Sequence, residues 1–174
     1  MRVLILLLAM ALPASANTTV FGGVMVENDF QDAFTPWELN PDEPGFIGIA
    51  RSYPVASRWG LDFEVEGQVV RHFGRQEHWE VNVPLIGRYQ FDGVVDSVAW
   101  GIGASYASEE PDFERDRNGN AQRALIYWVA ELAFAGPENG PQPVLRLHHR
   151  SNGFGLVGPD GGSNAIAIGV RLPR

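Results

Sequence analysis

From Leu61 to Val69 the chain alternates. Leu61, Phe63, Val65 and Val69 fall on odd positions, and Asp62, Glu64, Glu66 and Gln68 on even ones. A period of two belongs to an extended strand, whose successive side chains point to opposite faces. The same period returns further on, where Ala124, Ile126, Trp128, Ala130, Leu132 and Phe134 oppose Arg123, Tyr127 and Glu131. Strands with one apolar and one charged face must close against something. A soluble sandwich or lipocalin-like barrel turns the apolar face inward and a membrane barrel turns it outward, with the same alternation in both.

Long helical periodicity is absent. Eight strand-like segments, rich in Val, Ile, Trp, Tyr and Phe, recur between Gly/Pro/Asp/Asn clusters: Thr19 to Asn28, Gly45 to Tyr53, Leu61 to Phe73, Trp79 to Phe91, Ser97 to Ala107, Gln122 to Phe134, Gln142 to Ser151 and Ser163 to Leu172. Their lengths match the roughly 9 to 11 residues of a tilted membrane-spanning strand. The long connections, Asp29 to Pro44, Ser108 to Ala121 and Asn152 to Gly162, are all odd-numbered. Long loops at one end and short turns at the other are the pattern of an outer-membrane barrel with both termini in the periplasm.

Residues 1–16 read as a secretory signal: basic Met1-Arg2, apolar Val3 to Leu12, and the small-residue site Ala14-Ser15-Ala16. The mature domain is expected over residues 17–174. The chain has no cysteine, which removes disulfides and thiolate metal sites and leaves barrel closure as a source of rigidity. A net charge of −8 argues against nucleic acid and anionic membrane surfaces as partners. Its thirteen basic residues are all arginine, scattered without a run, and read as mainly structural.

The run Leu147-His148-His149-Arg150-Ser151-Asn152-Gly153-Phe154-Gly155 carries the candidate chemistry. On a strand, His149 and Ser151 share a face with Leu145 and Leu147, while Arg146, His148 and Arg150 share the other. A base two residues from a hydroxyl on one face is a candidate nucleophile pair for acyl transfer. The alternative is a hydrogen-bonded pair at a barrel rim, in a non-catalytic barrel with a lipid-binding or structural role.

His149-Arg150-Ser151-Asn152-Gly153, followed by a Gly/Pro/Asp-rich turn and a last short strand, resembles the lipid A 3-O-deacylases. These are eight-stranded outer-membrane barrels that hydrolyse the ester-linked 3-hydroxyacyl chain at position 3 of lipid A. The resemblance implies a serine esterase acting on lipid A, or lipopolysaccharide, in the outer leaflet. It assigns His149 as general base, Ser151 as nucleophile, and Asn152 with the Gly153 N–H to the oxyanion. The family orients its histidine with a glutamate about a dozen residues after the serine. Here that stretch reads Pro159-Asp160-Gly161-Gly162-Ser163-Asn164, leaving Ser163, Asn164 or Asp160 for the role and implying a slower enzyme.

No metal or organic cofactor is implied. His148 and His149 face opposite ways and cannot share an ion, and His72 and His78 make a poor zinc site without a placed carboxylate. Asp112 to Asn120 superficially resembles a calcium loop, but it lacks the closing glutamate of an EF-hand and contains two arginines. It reads as a solvated loop with an Asn-Gly turn. The glycine-rich stretch from Gly158 to Gly162 precedes a strand and has no lysine, which excludes a nucleotide loop. Trp37, Trp59, Trp79, Trp100 and Trp128 suit an interfacial girdle and would be core in a soluble barrel; they support the membrane reading without deciding it. The sum is an all-β chain, expected to be an eight-stranded antiparallel outer-membrane β-barrel.

Overall fold

The computed structural model describes residues 16–30, 35, 38–138, 140–159 and 161–172. Residues 1–15, Trp37 and Asp160 lie outside these. Eight antiparallel strands follow one another around a closed barrel: β1 (Asn17–Val26), β2 (Pro41–Arg58), β3 (Leu61–Phe73), β4 (Trp79–Gln90), β5 (Val95–Ala107), β6 (Ala124–Phe134), β7 (Gln142–Ser151) and β8 (Gly162–Leu172). β8 returns to pair with β1, so no strand edge is left open. Among the described residues no helix is long and apolar enough to cross a membrane, which leaves crossing by strands untouched.

β2 is longer than its hydrophobic pattern suggests. Pro54 would ordinarily end a strand, but the pairing with β3 shifts register between Pro54 and Ala56. A bulge of this kind accommodates the missing N–H. Pairing then continues to the tight Trp59-Gly60 turn, where both residues have positive φ.

Burial decides between the two orientations that alternation leaves open. Glu64, Glu66 and Gln68 are almost fully buried inside the barrel, whereas Val65 and Val69 stand on its outer wall, 37% and 43% exposed. Buried carboxylates need partners, and the interior supplies them. Arg146 lies 2.7 Å from Glu66 and 2.8 Å from Glu131, Arg88 lies 2.9 Å from Glu131 and 3.3 Å from Glu64, and Arg171 lies 3.0 Å from Glu64. Ser52 and Gln68 also donate to Glu66, at 2.6 and 2.7 Å. The arginines that read as structural in the sequence therefore hold a charged core together. Arg146→Met is expected to strand Glu66 and part of Glu131 and to cost about 3–5 kcal/mol. Denaturant unfolding of the detergent-solubilised protein measures this; a loss below about 1 kcal/mol would mean that the other arginines suffice.

The stretch read as a solvated loop is instead helix α1 (Asp112–Asn118), ended by Gly119 in the left-handed conformation at φ 74°. It is two turns long, too short to show a period. Its inward side is just Phe113 and Glu114, which plug the loop end of the barrel at 4% and 0% exposure. Phe113 joins Phe21, Met25, Phe46, Ala50 and Val70 in an apolar cluster. Glu114 accepts from Ser163 Oγ at 2.9 Å and faces Arg150 at 3.4 Å. Burial pushes its carboxyl upward against the pull of that guanidinium.

Candidate active site

β7 runs toward the loop end with Arg146, His148 and Arg150 buried inside and Leu145, Leu147, His149 and Ser151 on the outer wall. Register places His149 between Trp128 on β6 and Asn164 on β8, and Ser151 between Ile126 and Gly162. Both polar side chains thus sit on the apolar wall, two residues apart on one face, at the end where the chain enters the β7–β8 loop.

His149 Nδ1 lies 2.6 Å from Asn164 Oδ1. The amide has little freedom to turn, because Asn164 Nδ2 donates to the Asn28 carbonyl at 2.8 Å. A carbonyl cannot donate, so the nitrogen of Asn164 faces Asn28 and its oxygen faces His149. The proton of the imidazole then belongs on Nδ1, and Nε2 is left as the basic nitrogen. Phe30, from the β1–β2 loop, lies over the imidazole with ring centroids 4.3 Å apart, and Trp100 and Trp128 pack beside it. Of the three residues offered for orienting the histidine, Asn164 makes the contact. Ser163 points to the opposite face and serves Glu114, and Asp160 is outside the described residues.

Ser151 Oγ accepts from the Gly153 N–H at 3.4 Å. Gly153 has φ 62°, a left-handed conformation that favours glycine, and a Cβ there would meet Ile126 Cδ1 at 2.2 Å and push that side chain aside. Asn152 is buried next to it, its carbonyl accepting from the Val157 N–H at 2.9 Å. Gly153→Ala is therefore expected to displace the only described N–H bonded to Ser151 Oγ. If that N–H serves the oxyanion, turnover should fall about 10²–10³-fold. The barrel itself should persist, as circular dichroism would show.

Below the pair, the outer wall carries an apolar groove of about 370 Å³. Trp100, Ala130, Leu147 and Ile166 follow one another across β5 to β8, and the small Ala130 leaves a hollow between larger neighbours. Leu39 reaches it from the β1–β2 loop. Leu147 is two residues from His149, so the groove begins where the polar pair ends.

Inside the barrel the reading of His72 and His78 needs correction. The carboxylate that the sequence left unplaced is Glu80, 3.2 Å from His72 Nε2 and 2.9 Å from His148 Nε2. The His72 and His78 rings stack at 4.2 Å. Burial, and then the neighbouring His72, push the His78 imidazole down to about 3. Asn28, Phe30 and Glu80 were not singled out by sequence reasoning. A backbone carbonyl has no sequence signal, and the other two meet their partners through barrel closure.

Fold and wall together define a closed eight-stranded antiparallel barrel with a charged interior and an apolar exterior. In fold it is similar to the outer membrane enzyme PagL, whose crystal structure superposes with a TM-score of 0.64 over 91% of this chain and 99% of that one, at 15% sequence identity. At that identity the likeness is one of fold. No family model matches the chain. Among curated proteins, "Actinorhodin polyketide putative beta-ketoacyl synthase 1" of Streptomyces coelicolor is 32% identical over 122 residues, 64% of this chain and 25% of that protein. The chain thus spans about a quarter of that relative's length, and the match carries no reading of its activity.

Proposed function

We propose that this chain is an outer-membrane serine esterase that removes the ester-linked 3-hydroxyacyl chain at position 3 of lipid A. The observation that carries the reading is the 2.6 Å contact of His149 Nδ1 with an amide oxygen locked in place by Asn28, on the face that also bears Ser151. Nε2 takes the Ser151 proton as Oγ attacks the ester carbonyl. Gly153 N–H and Asn152 receive the oxyanion, and the sugar hydroxyl leaves with the proton from His149. Water, deprotonated by the same imidazole, then releases the fatty acid from Ser151.

The membrane assignment is supported by the apolar outer wall, by the expected export signal, and by the fold shared with an outer membrane enzyme. Trp59 and Trp79, both exposed, mark opposite ends of that wall. An acyl chain of the outer leaflet could reach Ser151 along the wall without leaving an apolar surrounding, with the groove at Ala130 to receive it. The neutral Asn164 in place of a carboxylate favours, as the second reading, a barrel of the same build that binds lipid without cleaving it.

Incubating lipid A with the detergent-purified full-length chain and weighing the products by mass spectrometry separates the two. The esterase should release one 3-hydroxy fatty acid per lipid A. An unchanged profile from folded protein would overturn the lipid A reading.

A further inference from the structure

The interior of the loop end holds a set of donors that the proposed esterase chemistry does not use. His72 on β3, His78 before β4 and Glu80 on β4 each offer one ligand atom, and the three atoms lie within 4.8 Å of one another. All three side chains are almost completely buried, at 2%, 3% and 1% exposure. We propose that His72, His78 and Glu80 bind a divalent transition metal ion of the zinc type inside the barrel.

Two imidazoles and one carboxylate form a His₂Glu donor set, which suits zinc, cobalt or nickel and not the oxygen-seeking calcium or magnesium. In a tetrahedral zinc site, bonds of about 2.0–2.1 Å put neighbouring ligand atoms about 3.3 Å apart. His72 Nε2 and Glu80 Oε2 already stand at 3.2 Å. His78 supplies an independent sign: its Nε2 is buried and, among the described residues, has no hydrogen-bond partner. Buried polar nitrogens rarely go unused.

The two imidazoles stand stacked, 12° from parallel with centroids 4.2 Å apart. One ring must turn to bring both in-plane lone pairs onto a shared ion; the remaining surroundings fit a ligated ion. The second oxygen of Glu80 lies 2.9 Å from His148 Nε2, close enough for an outer contact on a ligating carboxylate. Arg150 divides itself between Glu80 at 3.5 Å and Glu114 at 3.4 Å. The two acids thus share a single guanidinium. Ligation through His72 Nε2 places that ring's proton on Nδ1, where Gln76 lies 3.2 Å away. The Gln76 amide must then turn its oxygen to His72, giving up its 3.3 Å contact with the Phe113 N–H.

The test is ion content, which is independent of any esterase activity. The full-length chain is refolded in detergent with Co²⁺ or Zn²⁺, desalted and assayed by elemental analysis and by cobalt ligand-field absorption. The expected result is about one ion per chain, with the bands of a four- or five-coordinate nitrogen and oxygen site, and an affinity lowered more than about a hundredfold in His78→Ala. Folded wild-type protein that retains no ion overturns the proposal. So does a folded His78→Ala that retains as much as wild type. Should the variant fail to fold, the wild-type stoichiometry and spectrum decide alone.

Discussion

Ser151→Ala is expected to abolish release of the fatty acid, lowering turnover by about 10⁶, as loss of the nucleophile does in serine hydrolases. The barrel should be indifferent to the change. Ser151 stands on the outer wall at the last position of β7, and among the described residues its hydroxyl bonds only with the Gly153 N–H. Removing one half-buried hydroxyl there costs at most about 1 kcal/mol. Loss of product with an unshifted unfolding midpoint would mark Ser151 as the nucleophile. Activity above about one per cent of wild type would instead remove Ser151 from that role, because no positioning effect leaves a nucleophile so dispensable.

Asn164→Ala is expected to lower turnover by about 10²–10⁴, the upper end being the effect of losing tautomer control in a serine protease. The amide oxygen is the acceptor for the imidazole Nδ1–H. Without it the proton can move to Nε2, which must be bare to accept from Ser151. Asn164→Asp separates orientation from charge. It keeps an acceptor toward His149 and adds a negative charge beside the imidazolium, but it loses the donor to the Asn28 carbonyl 2.8 Å away. The aspartate variant should therefore retain at least about tenfold more activity than the alanine variant. Equal rates for the two, measured as initial release of 3-hydroxy fatty acid, would show that the contact does not serve the reaction.

The legible part of this chain was what period and spacing carry. β7 falls on Gln142–Ser151 as its pattern indicated, and the long connections gather at one end of the barrel. Which face turns inward could not be read, since alternation is symmetric in the two faces and only closure decides. Glu66 was readable as polar, but not as the anchor of Arg146 from four strands away. α1 was missed because two turns of Asp, Glu and Arg look like a loop, and its whole inward face is Phe113 and Glu114. At the site, the spacing of His149 and Ser151 was visible within three residues, whereas Asn164 was one of three candidates. Its selection needed the β7–β8 register and the Asn28 carbonyl, which belong to opposite ends of the chain.

That last arrangement has a bearing on when the protein can act. Asn164 pairs with Val26 across the β1–β8 seam, and Asn28 and Phe30 follow directly from β1. Every other strand pair is a hairpin between sequence neighbours, while the seam joins the first strand to the last and carries the greatest loop-closure entropy. A chain with seven pairs made and the seam open would carry Ser151 and His149 but neither the locked amide nor the covering ring. On the chemistry proposed above, such a chain is inert toward acyl esters until the seam forms. Assembly and arming would be the same event, and fatty-acid release would report the moment the cylinder shuts.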